Sequence, residues 1–110
     1  MAGWYELSKN DKGQFAFVLK AGNSETILRS EQYETKAAAQ NGIVSVQTNS
    51  PNDARFERKL ATDGRAYFNL KAGNHQVIGT SQMYASAAGR DNGITSVQTN
   101  GPSATVKDNT

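Results

Sequence analysis

The chain is written twice. Leu19-Lys20-Ala21-Gly22-Asn23 returns as Leu70-Lys71-Ala72-Gly73-Asn74, a step of 51 residues. The same step carries Tyr33 onto Tyr84, Asn41-Gly42-Ile43 onto Asn92-Gly93-Ile94, and Ser45-Val46-Gln47-Thr48-Asn49 onto Ser96-Val97-Gln98-Thr99-Asn100, with no gap. A fixed period of this length marks one supersecondary unit repeated along the chain. A unit of about 50 residues leaves much of its surface wet and folds alone only marginally. Two copies within 110 residues are therefore read as one domain, 1–110, around a shared core. The first repeat covers 3–50, the second 54–101, and the polar stretch 102–110 reads as a mobile tail.

Each repeat changes period once. Trp4 to Lys9, Phe15-Ala16-Phe17-Val18-Leu19-Lys20 and Glu25-Thr26-Ile27-Leu28-Arg29 read as three strands. Asn10-Asp11-Lys12-Gly13 joins the first two, with glycine available for positive φ. Ala21-Gly22-Asn23 joins the next two and reads as a primed hairpin turn. Then Ala39, Gly42, Ile43 and Val46 fall on one helical face, after Thr35 as an N-cap, which predicts a helix over 36–48. Gly42 costs a helix about 1 kcal/mol relative to Ala. Its counterpart Gly93 points to close packing against the sheet as the cause. Pro51 stops the helix. The second copy repeats the plan: strands at Arg55–Lys59, Ala66–Lys71 and Gln76–Thr80, a helix from the Ser86 cap to about Gln98, and Asn100-Gly101-Pro102 as its end. The expected fold is α+β: tandem β-β-β-α repeats forming one mainly antiparallel six-stranded sheet, with two helices on one face.

Composition narrows the function classes. With 36% apolar and 20% charged residues the chain is that of a globular domain, and a net charge of +2 is far from the dense basic patch of most nucleic-acid binders. There is no cysteine, which removes disulfides, thiolate catalysis and cysteine-based zinc sites. Met1-Ala2-Gly3-Trp4-Tyr5-Glu6 has neither the basic start nor the apolar run of a secretory signal, and no stretch approaches the roughly 20 apolar residues of a membrane span. A cytoplasmic location without membrane contact is the expectation.

Gly3-Trp4-Tyr5-Glu6-Leu7, the paired Leu-Lys-Ala-Gly-Asn segments, Ser30 with Tyr33, and Gly42-Ile43-Val44-Ser45-Val46 resemble the YegP-like family of small uncharacterised bacterial proteins, in its duplicated form. The likeness extends through Thr105-Val106-Lys107-Asp108-Asn109-Thr110. It implies a tandem β3-α fold with a single sheet, helices that can pack across the partner repeat, and single-repeat relatives that pair as dimers. It implies no activity, substrate or cofactor.

Strand alternation sorts residues onto two faces. Phe15, Phe17, Leu19, Ala66, Phe68 and Leu70, with Tyr5, Phe56, Ile27 and Ile78, form the expected core, roofed by Ile43, Val46, Ile94 and Val97. The opposite face carries Trp4, Glu6, Ala16, Val18, Lys20, Thr26 and Leu28, and then Arg55, Glu57, Tyr67, Asn69, Lys71, Val77 and Gly79. Its aromatic and aliphatic surface, set among cations, makes Trp4, Val18, Lys20, Tyr67 and Lys71 the candidate partner-binding residues. Glu6 with Lys20 and Glu57 with Lys71 are candidate cross-strand pairs, worth roughly 0–1 kcal/mol each if solvated.

Motifs that carry chemistry are scarce. His75 is the only histidine and falls at the second hairpin turn, too isolated for a zinc site or a triad. Asp11, Asp53, Asp63, Asp91 and Asp108 lie at turns and ends, where Asp bonds the local backbone. Gly22 and Gly73 join strand to strand, whereas a phosphate loop runs from strand into helix. Tyr33 and Tyr84 are read as packing beneath the helices, with a ligand site at the repeat seam as the alternative. Ser45, Gln47 and Asn49 and their copies read as capping and helix–strand contacts. No catalytic residue, metal or cofactor is assigned. The reading is a non-enzymatic interaction module, monomeric with pseudo-two-fold symmetry, whose open sheet face meets a protein partner. The alternative is weak binding of single-stranded nucleic acid through exposed aromatics.

Overall fold

The computed structural model describes residues 3–110. Its elements are β1 (Trp4–Lys9), β2 (Phe15–Lys20), β3 (Thr26–Arg29), α1 (Lys36–Asn49), a 3-10 turn (Asp53–Arg55), β4 (Phe56–Leu60), β5 (Ala66–Lys71), β6 (Val77–Thr80), α2 (Ala87–Asn100) and β7 (Val106–Asp108). The helices begin where the capping residues place them: the Thr35 hydroxyl accepts from the Ala38 amide and the Ser86 hydroxyl from the Gly89 amide, both at 3.1 Å.

The strands form a single mixed sheet in the order β4-β5-β6-β3-β2-β1-β7. Within each repeat the pairing is antiparallel, and the repeats meet at β3 and β6, where Arg29 faces Thr80. The sheet thus has seven strands, not six. The stretch expected to be a mobile tail supplies the seventh: Val106–Asp108 lies parallel to β1, with Tyr5 opposite Val106 and Leu7 opposite Asp108. Backbone bonds from Tyr5 to Thr105 and from Asn109 to Leu7 satisfy amides and carbonyls that the edge of β1 would otherwise leave to water.

Both helices cover the same sheet face. α1 packs on β2 and reaches β6, and α2 packs on β5 and reaches β3, so each helix spans the seam between repeats. The core between them holds the expected apolar residues, with Tyr5, Phe17, Leu19, Phe68, Leu70, Val46 and Val97 essentially inaccessible and Phe15 at the margin. Leu7, which the same alternation places beside Tyr5, is buried as well. Losing one such phenylalanine to alanine costs about 3–5 kcal/mol. Tyr33 stacks on Phe17 and Tyr84 on Phe68, at centroid separations of 6.3 and 6.4 Å. Their hydroxyls lie where a side chain at Gly42 or Gly93 would go, which explains a glycine in the middle of each helix.

The hairpin turns differ from the expectation. The left-handed residues are Ser24 (φ 71°) and His75 (φ 69°), not Gly22 and Gly73. The amides of Ser24 and His75 donate to Ala21 and Ala72, and the turns close with bonds from Ala21 to Glu25 and from Ala72 to Gln76. His75 therefore occupies a conformational slot shared with a serine. Gly13 (φ 79°) and Gly64 (φ 86°) do take positive φ in the other two turns. No helix of the described residues is long and apolar enough to cross a membrane.

Candidate functional site

The face opposite the helices is uncovered, and register defines its surface. One row crosses all seven strands: Glu57, Asn69, Thr80, Arg29, Val18, Glu6 and Lys107. Beside it Tyr67 faces Lys59, Lys71 faces Val77, Thr26 faces Lys20, and Lys20 also faces Trp4. Four of the five residues singled out from sequence, Val18, Lys20, Tyr67 and Lys71, are here and half-buried.

Trp4 is on this face but not available. It is only 8% exposed, its indole N–H donates to Glu6 Oε2 at 2.8 Å, and Lys107 of β7 places its ammonium 4.5 Å from the ring centroid. A flat ring at a strand edge reads as exposed until another strand is laid beside it. Leu28 and Gly79 also leave the assigned face. The β2–β3 register shifts so that Lys20 pairs with Thr26 but Leu19 with Leu28; Ile27 is the extra residue, and Leu28 turns to the core. The same bulge in the second repeat pairs Leu70 with Gly79. The two equivalent positions meet at the seam: a Cβ on Gly79 would lie 2.7 Å from Leu28 Cγ, so Leu28 fills the space that Gly79 leaves.

The expected ion pairs are formed in one repeat only. Lys71 donates to Glu57 Oε2 at 2.8 Å, Asn69 to Glu57 Oε1 at 3.2 Å, and Thr80 to Asn69 Oδ1 at 2.8 Å. Those bonds, the Lys71 one first, hold the Glu57 carboxyl below its ordinary range. In the first repeat Glu6 is taken by Trp4, and Lys20 has no carboxylate partner among the described residues; neither has Arg29. By register the face carries five cations, Lys20, Arg29, Lys59, Lys71 and Lys107, against Glu6 and Glu57. It is thus more positive than the whole chain at +2. Arg29, Lys59 and Lys107 are the members that the sequence reading did not bring forward; the first faces Val18 across the β2–β3 ladder, the second faces Tyr67 across the β4–β5 ladder, and the third arrives with β7.

Several other polar side chains are held by internal contacts. Tyr5 donates to the Gly101 carbonyl at 2.6 Å, and burial pushes its phenol far above the usual range. Tyr33 is raised too, by burial and then by the charge of Glu31. Asn49 and Asn100 donate to the Ser45 and Ser96 carbonyls at 2.8 Å, and Asn100 Oδ1 also accepts from the Gly3 amide at 2.8 Å, which pins the start of β1 to the end of α2. Among the described residues no three His, Cys, Asp or Glu side chains come close enough to hold a metal ion.

Comparison with known proteins places this architecture. The family model for a domain of unknown function, DUF1508, matches twice, over residues 10–57 and 61–108. The chain belongs to that family. Each match runs from a turn through two strands and a helix into the strand that follows, so the family's unit includes the first residues of β4 in one copy and β7 in the other. The UPF0339 protein YegP of Escherichia coli strain K12 is 63% identical over 110 residues, covering all of both chains. The solution structure of yegP from E. coli, a protein of unknown function, superposes with a TM-score of 0.94 at 62% identity, over 99% of this chain and 94% of that one. That of the UPF0339 protein SO3888 from Shewanella oneidensis gives 0.92 at 63% identity, over 98% and 92%. The family relatives are uncharacterised.

Proposed function

We propose that this protein is a non-enzymatic interaction module whose uncovered sheet face receives an acidic segment of a protein partner. The observation that carries the reading is the charge of that face. Its positive excess is larger than that of the whole chain, and its two carboxylates are occupied internally. Lys20 and Arg29 stand without ion pairs among the described residues, beside Val18 and the 39%-exposed Val77. A mixed apolar and cationic patch of this kind needs a reason. Complementary charge chiefly sets encounter rate and partner choice. Tyr67 supplies an apolar contact, and Lys71 is both an anchor and the clamp on Glu57. The protein works as a monomer in the cytoplasm on this reading, with no cofactor.

The nucleic-acid alternative loses support with Trp4 covered, because Tyr67 is then the one accessible ring on the face and stacking of successive bases needs several. The test is affinity capture from native lysate with the wild type and with Lys20→Glu/Arg29→Glu, in parallel with and without nuclease. Both positions lie outside internal ion pairs, so the variant should keep the wild-type melting temperature. A protein captured by the wild type, retained after nuclease and lost in the variant is the expected result. Nuclease-sensitive capture would replace the reading with the nucleic-acid one, and equal capture by the variant would remove the face from consideration.

A further inference from the structure

On the helix side of the sheet, a cleft of about 200 Å³ separates α2 from the β2–β3 hairpin at the repeat seam. We propose that it binds a small organic cation, an alkylammonium group, held by Glu25 over the ring of Tyr84. Among the described residues Glu25 is the only charged side chain lining the cleft, and it makes no ion pair. Tyr84 and Ile27 supply apolar surface, and Gln82 and Asn92 bring amide groups whose oxygens can accept from an ammonium. A carboxylate, an aromatic ring and neutral acceptors, with no cation among the described lining residues, suit a positive ligand and repel a negative one.

Gly89 is the second observation. A glycine inside a helix costs about 1 kcal/mol relative to alanine. At Gly42 and Gly93 crowding by a tyrosine demands it. Gly89 is under no such demand, since a methyl at that position would meet Ser86 Oγ at 3.5 Å and Tyr84 Cδ1 at 3.6 Å, ordinary contact distances. Alanine fits, and alanine is what the first repeat carries at the equivalent Ala38. What glycine does at position 89 is leave that side of the Tyr84 ring open to the cleft. The pseudo-symmetric place, between α1 and the β5–β6 hairpin, has Gln76 where the cleft has Glu25 and Ala38 where it has Gly89. It also has Glu31 where the cleft has Gln82, so by the repeat each place carries one carboxylate, and what sets the cleft apart is the position of that carboxylate and the ring left open beside Gly89. The cleft volume equals that of about seven waters in the liquid, enough for a four-carbon amine.

The test is an amide chemical-shift titration of the full-length protein with n-butylammonium chloride, beside n-butanol and sodium butyrate at matched ionic strength. Saturable shifts are expected at Glu25, Gly89, Asn92 and Gly93 with the amine alone. Glu25→Gln removes a charge-assisted contact and should weaken binding by about tenfold or more. Gly89→Ala should stabilise the fold yet weaken binding, a combination that a merely structural glycine does not produce. Shifts that never saturate, binding unaltered by Glu25→Gln, or no shift at all would each overturn the proposal. None of those outcomes touches the reading of the opposite face, which is probed by Lys20 and Arg29.

Discussion

Gly42 shows how far a single residue's reason lies from its own neighbourhood. The recurrence of glycine in mid-helix is visible in the repeat, and close packing is the natural inference. The contact itself comes from the sheet-to-helix corner: a Cβ at Gly42 would lie 2.6 Å from the Tyr33 hydroxyl and 2.9 Å from Phe17 Cε2. Gly42→Ala should therefore lose roughly 1–3 kcal/mol to overpacking, more than the about 1 kcal/mol gained in helix propensity. Tyr33→Phe removes the nearest atom, so the double variant should recover part of the loss. Urea denaturation of the two singles and the double checks this; a Gly42→Ala variant more stable than the wild type would refute the packing account. Such a clash is set by the position of one phenolic oxygen, and no local pattern encodes that position.

Among the elements, β7 departs furthest from the sequence reading. Its three residues are polar or exposed, which is why the stretch passes for a tail. The signal that could have found it is the repeat itself, since the 51-residue step carries Arg55-Phe56-Glu57, at the start of β4, onto Val106-Lys107-Asp108. β7 is held at its outer end by Lys36, 2.5 Å from Asp108, and by Thr110. These bonds, the Lys36 one first, depress the Asp108 carboxyl well below the usual carboxylate range. A carboxyl depressed on folding contributes stability that is complete above its unfolded value, about 3.9, and is lost as pH falls through the lower folded value. Trp4 is the only tryptophan and lies under Lys107, so its fluorescence reports β7 directly. Its emission should be constant from neutrality to about pH 4 and shift to the red below that. Asp108→Asn should show part of the red shift already at pH 7. An unshifted Asp108→Asn spectrum would mean that the Lys36–Asp108 pair does not hold the strand.

At the scale of the whole molecule the two repeats differ sharply in size of side chain where they touch. Residues on a pseudo-two-fold axis face their own counterparts, and there the copies cannot both be large. Leu28 meets Gly79, and Ser50 crowds the place where Gly101 has no side chain. Gly79→Leu should destabilise by about 1–3 kcal/mol through overpacking, and Leu28→Gly should cost at least the 2–5 kcal/mol of a core leucine truncation. Combining them exchanges the partners across the axis, so the double variant should be more stable than the sum of the singles implies. Coupling energies between residues in contact run about 0.5–3 kcal/mol. A thermal or urea double-mutant cycle measures the term, and strict additivity would mean that the two positions do not share one space. The same axis explains where β7 goes. β4 follows α1 and pairs with β5; the equivalent place beside β2 is already filled by β1, so the strand after α2 adds outside it, in parallel.

Period and alternation, which are local, were enough to recover the repeat, the strands of each copy, both helix caps and nearly all of the core. They depend only on side chains spaced along one element, and the hydrophobic effect acts on that spacing directly. Tertiary structure decided what lies beside what. A single extra residue in β3 turned Leu28 inward, a docked strand covered Trp4, and a tyrosine from outside the helix forbade a side chain at Gly42. Of the candidate surface, Val18, Lys20, Tyr67 and Lys71 were legible because alternation assigns a face, while the loss of Trp4 and the gain of Arg29 were not. Which face a residue takes is a property of its own strand, but whether it stays exposed is a property of the neighbours that folding brings to it.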